Sequence, residues 1–289
     1  MSLSFLTECK KKVMNRIDAL LQGKNKIITS MRYSALSDSK FIRAGLIFAS
    51  GNLSKEISEQ ALIDMAASIE LMHTYSLIHD DLPSMDNDDI RRGKASSHIQ
   101  FNEATAILTG DALQALAYEI LASSSEIDQF HKLESIKALS KACGYKGMIL
   151  GQQYDLDAEN SHFKDIQKIH ELKTAKLIQV AMTMPHLGNK KFKNELIVLN
   201  KIGESLGLAF QIIDDVLEAS SDSNTLGKSN KSDILNQKLT YVSVYGKKES
   251  IKKANELLDK CNAKLNTSFK KYQVDYLLDL AKFMVERRN

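Results

Sequence analysis

Apolar residues recur at every third or fourth position along most of this chain, and that spacing is typical of helices. The clearest example passes through Leu62, Met65, Ile69 and Met72 and stops at the acidic pair that begins at Asp80. The same spacing predicts further helices over residues 5–22, 103–122, 131–153, 165–184, 202–217 and 247–266. We find no strand-like alternation and no repeat of fixed period in the sequence. The pattern therefore predicts an all-α fold.

Residues that break helices are scarce. The chain contains two prolines, Pro83 and Pro185, and 13 glycines. Proline removes a backbone donor and fixes φ, so a chain with so few of them favours long helices. Turn-forming residues place the loops at 34–39, 51–55, 83–93, 157–163 and 220–233. No linker-like segment divides the sequence, and we expect one domain over residues 1–289.

Composition narrows the classes of function. Of the 289 residues, 39 are basic and 36 acidic, a formal charge of +3 that argues against a nucleic-acid partner. Cys9, Cys143 and Cys261 are odd in number and far apart, which argues against a disulfide framework or a zinc site. The N-terminus shows no signal-peptide pattern, and no stretch resembles the roughly 18 apolar residues of a membrane span. We expect a cytoplasmic protein without a membrane anchor.

The first candidate site is the acidic run from Asp80 and Asp81 to Asp86. Pro83 disfavours helical geometry at Leu82, so the helix should end near there and Asp86 should return on the loop. Three carboxylates so close would raise one another's pKa unless a cation neutralised them. Hard oxygen ligands of this kind suit Mg²⁺. The alternative for this cluster alone is a solvated, acidic helix end.

A second acidic cluster contains Asp214, Asp215 and Glu218. Asp214 and Glu218 are one helical turn apart and lie on the same face. Two acidic clusters, each ending an apolar helix, favour metal binding over two unrelated solvated ends. Basic residues that could bind phosphate lie along the same chain, with Arg as a planar fork and Lys as a compact charge. They are Lys40, Arg43, Arg91, Arg92, Lys173 and Lys228.

These motifs together resemble those of the trans-isoprenyl diphosphate synthases. Leu77 to Gly93 resembles the first aspartate-rich motif of that family, and Gly207 to Asp215 resembles the second. Thr109 to Leu113, His170 to Thr174 and Tyr33 to Arg43 resemble three further signatures. Within the family, the bacterial short-chain farnesyl diphosphate synthases are the most similar group. The resemblance implies a single large helical bundle with a central active-site cavity, a homodimer, and two substrates, an allylic diphosphate and isopentenyl diphosphate.

The resemblance also implies a role for each matching residue. Three Mg²⁺ ions would be held by Asp80, Asp81, Asp86, Asp214 and Asp215. The allylic diphosphate would be bound by Arg91, Lys173, Lys228 and Lys238. Catalysis near the reacting carbons would involve Lys173, Thr174 and Gln211. Isopentenyl diphosphate would be bound by Lys40, Arg43, His73 and Arg92. The chain departs from the family's basic motif at Phe41, where a cation is usual.

Product length is expected to depend on Tyr75 with Ser76. Tyr75 precedes Asp80 by five residues, about 7.5 Å along a helix that rises 1.5 Å per residue. In the family, a large aromatic at this depth acts as a floor for the growing chain and accompanies a C15 product. An ordinary core aromatic is the alternative for Tyr75. We therefore expect farnesyl diphosphate, with geranylgeranyl or geranyl diphosphate as alternatives.

Two hypotheses from other classes compete. Residues 70–73 and 159–162 each match Glu-x-x-His, the spacing of a di-iron helical bundle. That hypothesis leaves the aspartates and arginines unexplained, and the second match falls in a predicted loop. A non-catalytic partner of a heteromeric synthase would be expected to lack one acidic cluster, and both are present.

Overall fold

The computed structural model describes residues 2–54, 56–159, 164–225, 239–270 and 272–287. The α-helices are α1 (Ser2–Leu20), α2 (Lys26–Ala35), α3 (Ile42–Gly51), α4 (Glu59–Asp80), α5 (Ser97–Gln100), α6 (Glu103–Ser123), α7 (Gln129–Cys143), α8 (Met148–Glu159), α9 (Ile166–His170), α10 (Lys176–Thr183), α11 (Lys193–Thr225), α12 (Tyr241–Tyr245), α13 (Lys247–Ser268) and α14 (Asp275–Glu286). Residues Glu171–Ala175 form a π-helical turn, and Met184–His186 and Lys190–Phe192 are 3₁₀ turns. The all-α prediction is confirmed.

Backbone proximity divides the chain into two compact units. The first contains Met1–Leu139 and Met184–Lys191, and the second contains Ser140–Thr183 and Phe192–Asn289. In the first unit α4 packs against α1, α2, α3 and α6. In the second unit α11 packs against α10, α12, α13 and α14. One domain over residues 1–289 stays a prediction.

Helix α4 is buried on more sides than the apolar spacing of its sequence indicates. Ala66, Ala67 and Ser68 are completely buried, as are Met65 and Ile69, so consecutive positions all face protein. A helix that is apolar around most of its circumference belongs in a core rather than at a surface. The small residues allow neighbouring helices to approach closely. Helix α4 is thus the central helix of its unit, and it carries the first acidic pair at its C-terminal end.

The prediction of one continuous helix over 131–153 is wrong, because the structure has two helices there, α7 and α8. Gly144 donates its N–H to the carbonyl oxygen of Ser140 at 2.9 Å, and Gly147 donates to Gly144 at 2.9 Å. A Cβ at Gly147 would collide with the carbonyl oxygen of Ala142. This close turn needs glycine.

The sequence pattern did not predict several other elements, or predicted them with different bounds. Helix α3 carries almost no exposed residue, so it shows no polar face for periodicity to detect. Helices α2, α5, α12 and α14 were also not predicted. Helix α8 continues through Glu159 and α11 through Thr225, into segments that were expected to be loops. A two-stranded antiparallel hairpin, β1 (Ile90–Arg91) with β2 (Lys94–Ala95), begins inside the predicted loop 83–93 and ends two residues beyond it.

Among the described residues, one helical stretch has the length and composition of a membrane span. It covers Lys190–Ser220, with a mean hydropathy of 1.4 in its most apolar window, and 56% of that window is buried. This stretch contradicts the expectation that no segment of the chain resembles a membrane span. The core helix of a soluble protein has the same length and composition.

Candidate active site

The first acidic cluster lies on a compact turn that ends α4. The helix stops at Asp80, and the backbone N–H of Asp86 donates to the carbonyl oxygen of Asp80 at 2.8 Å. Pro83 accounts for the stop, because it disfavours helical geometry at the residue before it. The predicted return of Asp86 to the end of the helix is therefore confirmed. Asn87 follows with a left-handed φ of 52°, which completes the turn.

Asp81 is a buried anchor within this turn. It is 2% exposed and accepts hydrogen bonds from Nε of Arg91 at 2.9 Å and from Nη2 of the same side chain. Nη2 of Arg91 also donates to Asp88 at 2.9 Å. Burial raises the pKa of the Asp81 carboxyl, while the Arg91 guanidinium acts in the opposite direction. A charge-assisted pair of this geometry fixes Arg91 against the acidic turn.

The hairpin sets the direction of the two arginines. Its two-residue turn is formed by Arg92 and Gly93, with φ of 53° and 74°. Two positive φ values are typical of the tight turns that join antiparallel strands, and the first is unusual for a residue with a side chain. Arg92 donates from Nη1 to the hydroxyl oxygen of Ser37 at 2.9 Å. The strained turn thus holds Arg91 and Arg92 in different directions.

A recess opens beside this hairpin. Its lining includes Tyr33, Ser34, Ser37, Asp81, Arg91, Arg92 and Lys94. Three of these side chains are cationic and three carry hydroxyl groups, which is the chemistry that binds phosphate oxygens.

Two further cationic side chains, those of Arg43 and Arg92, lie near Glu70, a residue that the sequence pattern suggested only as a di-iron ligand. Glu70 is 4% exposed, and its carboxylate accepts the backbone N–H of Ala44 at 2.8 Å, near the start of α3. Burial raises the pKa of Glu70, and the nearby charge of Arg43 opposes the shift. Burial, and then the charges of Arg43 and Arg92, hold the pKa of His73 well below its ordinary value. The structure therefore brings Arg43, His73 and Arg92 close to one buried carboxylate.

Phe41 occupies the position where the family motif usually has a cation. Its side chain is 3% exposed, and its backbone at the start of α3 is left-handed, with φ of 50°. Nζ of Lys10 lies 5.9 Å from the centre of the Phe41 ring and forms an ion pair with Asp38. Lys40, the residue before Phe41, is exposed. The substitution thus places a buried aromatic where a basic side chain was expected.

Tyr75 lies in the core of α4. It is 6% exposed, and its ring meets that of His79 edge-to-face with centroids 5.4 Å apart. Nε2 of His79 is 3.1 Å from the carbonyl oxygen of Ile107 on α6, which holds that contact in place. Ser76 donates its hydroxyl to the carbonyl oxygen of His73 at 2.9 Å.

In the second unit, the candidate residues Lys173 and Thr174 lie on the π-helical turn Glu171–Ala175. Such turns place side chains off the regular helical register and are frequent at functional sites. Nζ of Lys173 donates to Oδ2 of the buried Asp155 at 2.6 Å. A Cβ at Gly151 would collide with the backbone of Lys173, so α8 approaches this turn closely because position 151 is glycine.

The second acidic cluster presents its two aspartates differently. Asp215 is 4% exposed and accepts from Nε2 of His170 at 2.9 Å, from the backbone N–H of Tyr241 at 2.7 Å and from Nε2 of Gln211 at 3.3 Å. Oε1 of Gln211 in turn accepts the hydroxyl of Thr174 at 2.8 Å. The structure thus joins Thr174, Gln211 and Asp215 in one network.

Asp214 is the more exposed member of the pair. Its side chain is 37% exposed and forms an ion pair with Nη2 of Arg287, just beyond α14. The Arg287 guanidinium also lies over the ring of Phe210, 4.1 Å from its centre. Glu218, one turn after Asp214, is exposed.

Lys228 and Lys238 lie outside the described residues, as does His162 of the second Glu-x-x-His match.

Within the described part of the chain, no three His, Cys, Asp or Glu side chains are grouped as a metal site. Mg²⁺ does not need such a cage, because it is usually held by one or two carboxylates together with substrate phosphates and water. The carboxylates of Asp80 and Asp86 lie on one turn, and their donor chemistry fits that mode of binding.

The helical fold, the acidic helix ends and the accompanying Arg and Lys side chains are typical of all-α prenyltransferases. Residues 24–278 match the family model described as polyprenyl synthetase, and the chain belongs to that family.

Comparison with individual proteins agrees with this assignment. The farnesyl diphosphate synthase of Escherichia coli (strain K12) is 42% identical over 238 residues, which cover 81% of this chain and 79% of that protein. The apo crystal structure of a FPP/GFPP synthase from Zymomonas mobilis is 32% identical, has a TM-score of 0.86 and covers 98% of each chain. The geranyltransferase from Helicobacter pylori, complexed with magnesium and isoprenyl diphosphate, is 29% identical, with a TM-score of 0.83 and coverage of 99% of this chain and 96% of that one. The resemblance stated from the motifs is confirmed.

Proposed function

We propose that this enzyme condenses an allylic diphosphate, dimethylallyl or geranyl, with isopentenyl diphosphate to give farnesyl diphosphate. The observation that carries the proposal is the turn after α4, where the Asp86 N–H bonds to the Asp80 carbonyl oxygen and Asp81 anchors Arg91. That turn sets two carboxylates next to an oriented guanidinium. A diphosphate with its magnesium ions requires both kinds of group.

Asp80, Asp86 and Asp214 would hold Mg²⁺, and we assign three ions in all. Bound magnesium stabilises the negative charge that develops on the departing diphosphate. Asp81 and Asp215 would act mainly through their internal partners, Arg91 and His170.

The reaction begins when the carbon–oxygen bond of the allylic diphosphate breaks and leaves an allylic carbocation. Arg91 and Lys173 would bind the leaving diphosphate, together with Lys228 and Lys238. The Thr174 hydroxyl donates a hydrogen bond to Oε1 of Gln211, so the oxygen atoms of both side chains can present lone pairs to the cation. Dipoles oriented before the charge develops stabilise it without reorganisation.

The double bond of isopentenyl diphosphate then attacks the cation, and a proton passes to the released diphosphate. Lys40, Arg43 and Arg92 would bind isopentenyl diphosphate through charge. His73, whose pKa is lowered, would bind it as a neutral hydrogen-bonding group. Tyr75 with Ser76 would stop the chain at C15, and geranylgeranyl diphosphate is the product expected if they do not.

We assign the enzyme to the cytoplasm as a homodimer, without a nucleic-acid partner or a stable membrane anchor. Ile107 and Leu108 on α6 are 43% and 54% exposed, an apolar surface that supports self-association. Light scattering after size-exclusion chromatography would measure the mass.

The direct test supplies dimethylallyl and isopentenyl diphosphates with Mg²⁺ and separates the dephosphorylated products by chromatography. Farnesol is expected, and chelation of the metal should abolish its formation. Asp86→Ala should lower kcat by roughly 10²- to 10³-fold, the usual loss when one group that stabilises developing charge is removed. Asp89→Asn changes an exposed acid close by and should retain activity. A wild-type enzyme that forms no prenyl product, or an unaffected Asp86→Ala enzyme, would contradict the proposal.

A further inference from the structure

Within the second unit, the side chain of His170 lies at the end of a hydrogen-bonded series that reaches two of the proposed catalytic residues. His170 ends α9, directly before the π-helical turn that carries Thr174. It is 5% exposed, and its Nε2 lies 2.9 Å from Oδ2 of Asp215. Its ring stacks on Tyr241 with centroids 6.0 Å apart and an interplanar angle of 24°. A buried imidazole held by a ring on its face and a carboxylate at its edge has little freedom to rotate.

The hydrogen bonds in this series have a fixed direction. A carboxylate accepts only, so Nε2 of His170 must carry the hydrogen and donate to Asp215. Asp215 also accepts from the amide nitrogen of Gln211, and the amide oxygen of Gln211 is then the atom that faces Thr174. The hydroxyl of Thr174 donates a hydrogen bond to that oxygen. Each donor and acceptor along the series depends on the one before it.

The orientation of the Gln211 amide matters for a reaction that develops positive charge. If the amide were reversed, its NH₂ group would donate to Thr174, and the hydroxyl hydrogen of Thr174 would turn outward. The site would then offer positive ends of dipoles to a carbocation and would destabilise it. The buried carboxylate of Asp215 prevents this reversal, because only the amide nitrogen can donate to it.

We propose that His170 is a positioning residue that, through Asp215, fixes the amide orientation of Gln211 and hence the direction of the Thr174 hydroxyl. This inference rests on the proposed function, since it assigns how that site is kept in the orientation that a cation requires. It also assigns Asp215 a different role from its neighbour Asp214. Three donors already occupy the Asp215 carboxylate, which is almost fully buried.

Two substitutions at His170 separate its donor from its bulk. His170→Phe keeps a ring that can stack on Tyr241 but removes the N–H. His170→Gln keeps an N–H donor. We expect the phenylalanine variant to lose about 10- to 100-fold in kcat, the usual loss when a residue that orients a directly acting group is removed. The KM values for both diphosphates should change little, and the glutamine variant should recover most of the rate.

His131→Phe is the matched control. His131 is also buried, at 3% exposure, and its Nε2 lies 2.6 Å from the carbonyl oxygen of Met184, within the first unit. It should lose stability without the same loss of kcat. An equal loss in His131→Phe, a His170→Phe enzyme within twofold of wild type, or an effect confined to KM would overturn the proposal.

A second measurement does not depend on activity. Long-range ¹H–¹⁵N spectra of histidine-labelled protein should show His170 with its hydrogen on Nε2, and the signal should move in Asp215→Asn. A hydrogen on Nδ1 would refute the inference even in an active enzyme. If the wild-type enzyme forms no prenyl product while the Nε2 signal is present, the proposed function fails and the hydrogen-bonded series remains.

Discussion

Replacement of Tyr75 by alanine tests whether its ring limits product length. The side chain is 6% exposed and lies five residues before Asp80, about 7.5 Å along the axis of α4. Removing the tyrosine side chain beyond Cβ opens about 6 Å of depth. One isoprene unit adds four bonds to the chain, and four bonds extend roughly 5 Å if each advances as far as a bond of an extended backbone. The space therefore admits one more unit, and the main product should change from C15 to C20. Tyr75→Leu opens less space and should give a mixture.

The assay is chromatography of dephosphorylated products, with both substrates in excess so that chain length is not set by supply. Loss of a buried aromatic costs about 3–5 kcal/mol of unfolding free energy, so folding must be checked by circular dichroism. Phe192→Ala is the control, because Phe192 is 2% exposed in the second unit and should lower stability without lengthening the product. A folded, active Tyr75→Ala enzyme that still makes only C15 would refute the reasoning.

Two further predictions concern charge and burial. Arg287→Gln removes the cation that is paired with Asp214. Calorimetry should then show that Mg²⁺ with inorganic diphosphate binds roughly threefold more tightly, the effect expected from losing a partly exposed ion pair. Unchanged or weaker binding would contradict competition between Arg287 and the metal. Burial raises the pKa of Cys9 and of Cys261 to about 12, and Cys143 is 1% exposed. A thiol reagent at pH 8 should therefore label none of the three in the native protein and all three in denaturant, and rapid native labelling would contradict this burial.

The sequence predicted elements well where one face of a helix is polar or where a turn residue stands alone. Helix α6 begins and ends within one residue of its predicted bounds, and the stop of α4 follows from Pro83. Helix α3 could not be predicted in this way, since its residues are buried on nearly all sides. The hairpin of Arg91 and Arg92 is too short for strand periodicity, and it needs a left-handed Arg92 that composition does not favour.

Candidate side chains were easier to predict than their partners. Arg91 and Lys173 follow from motif spacing, but the pairing of each with its buried carboxylate does not. Asp155 is 18 residues from Lys173, and no local pattern connects the two. Glu70 precedes His73 by three residues and shares its helix face, a signal that the sequence did contain. Its contact with Ala44 depends on the packing of α3 against α4, which no periodicity specifies.

Each acidic pair divides its two carboxylates between different tasks, and helix geometry explains why. Adjacent helical residues point about 100° apart at 3.6 residues per turn, so two neighbouring aspartates cannot face the same ligand equally. Asp81 is 2% exposed and bonds to Arg91, and Asp215 is 4% exposed and bonds to His170 and to the backbone N–H of Tyr241. In both pairs the first aspartate is the more exposed one. A buried carboxylate that accepts several hydrogen bonds orients the groups that donate to it. We infer that each Asp-Asp dipeptide in the sequence supplies one exposed candidate metal ligand and one buried candidate positioning group.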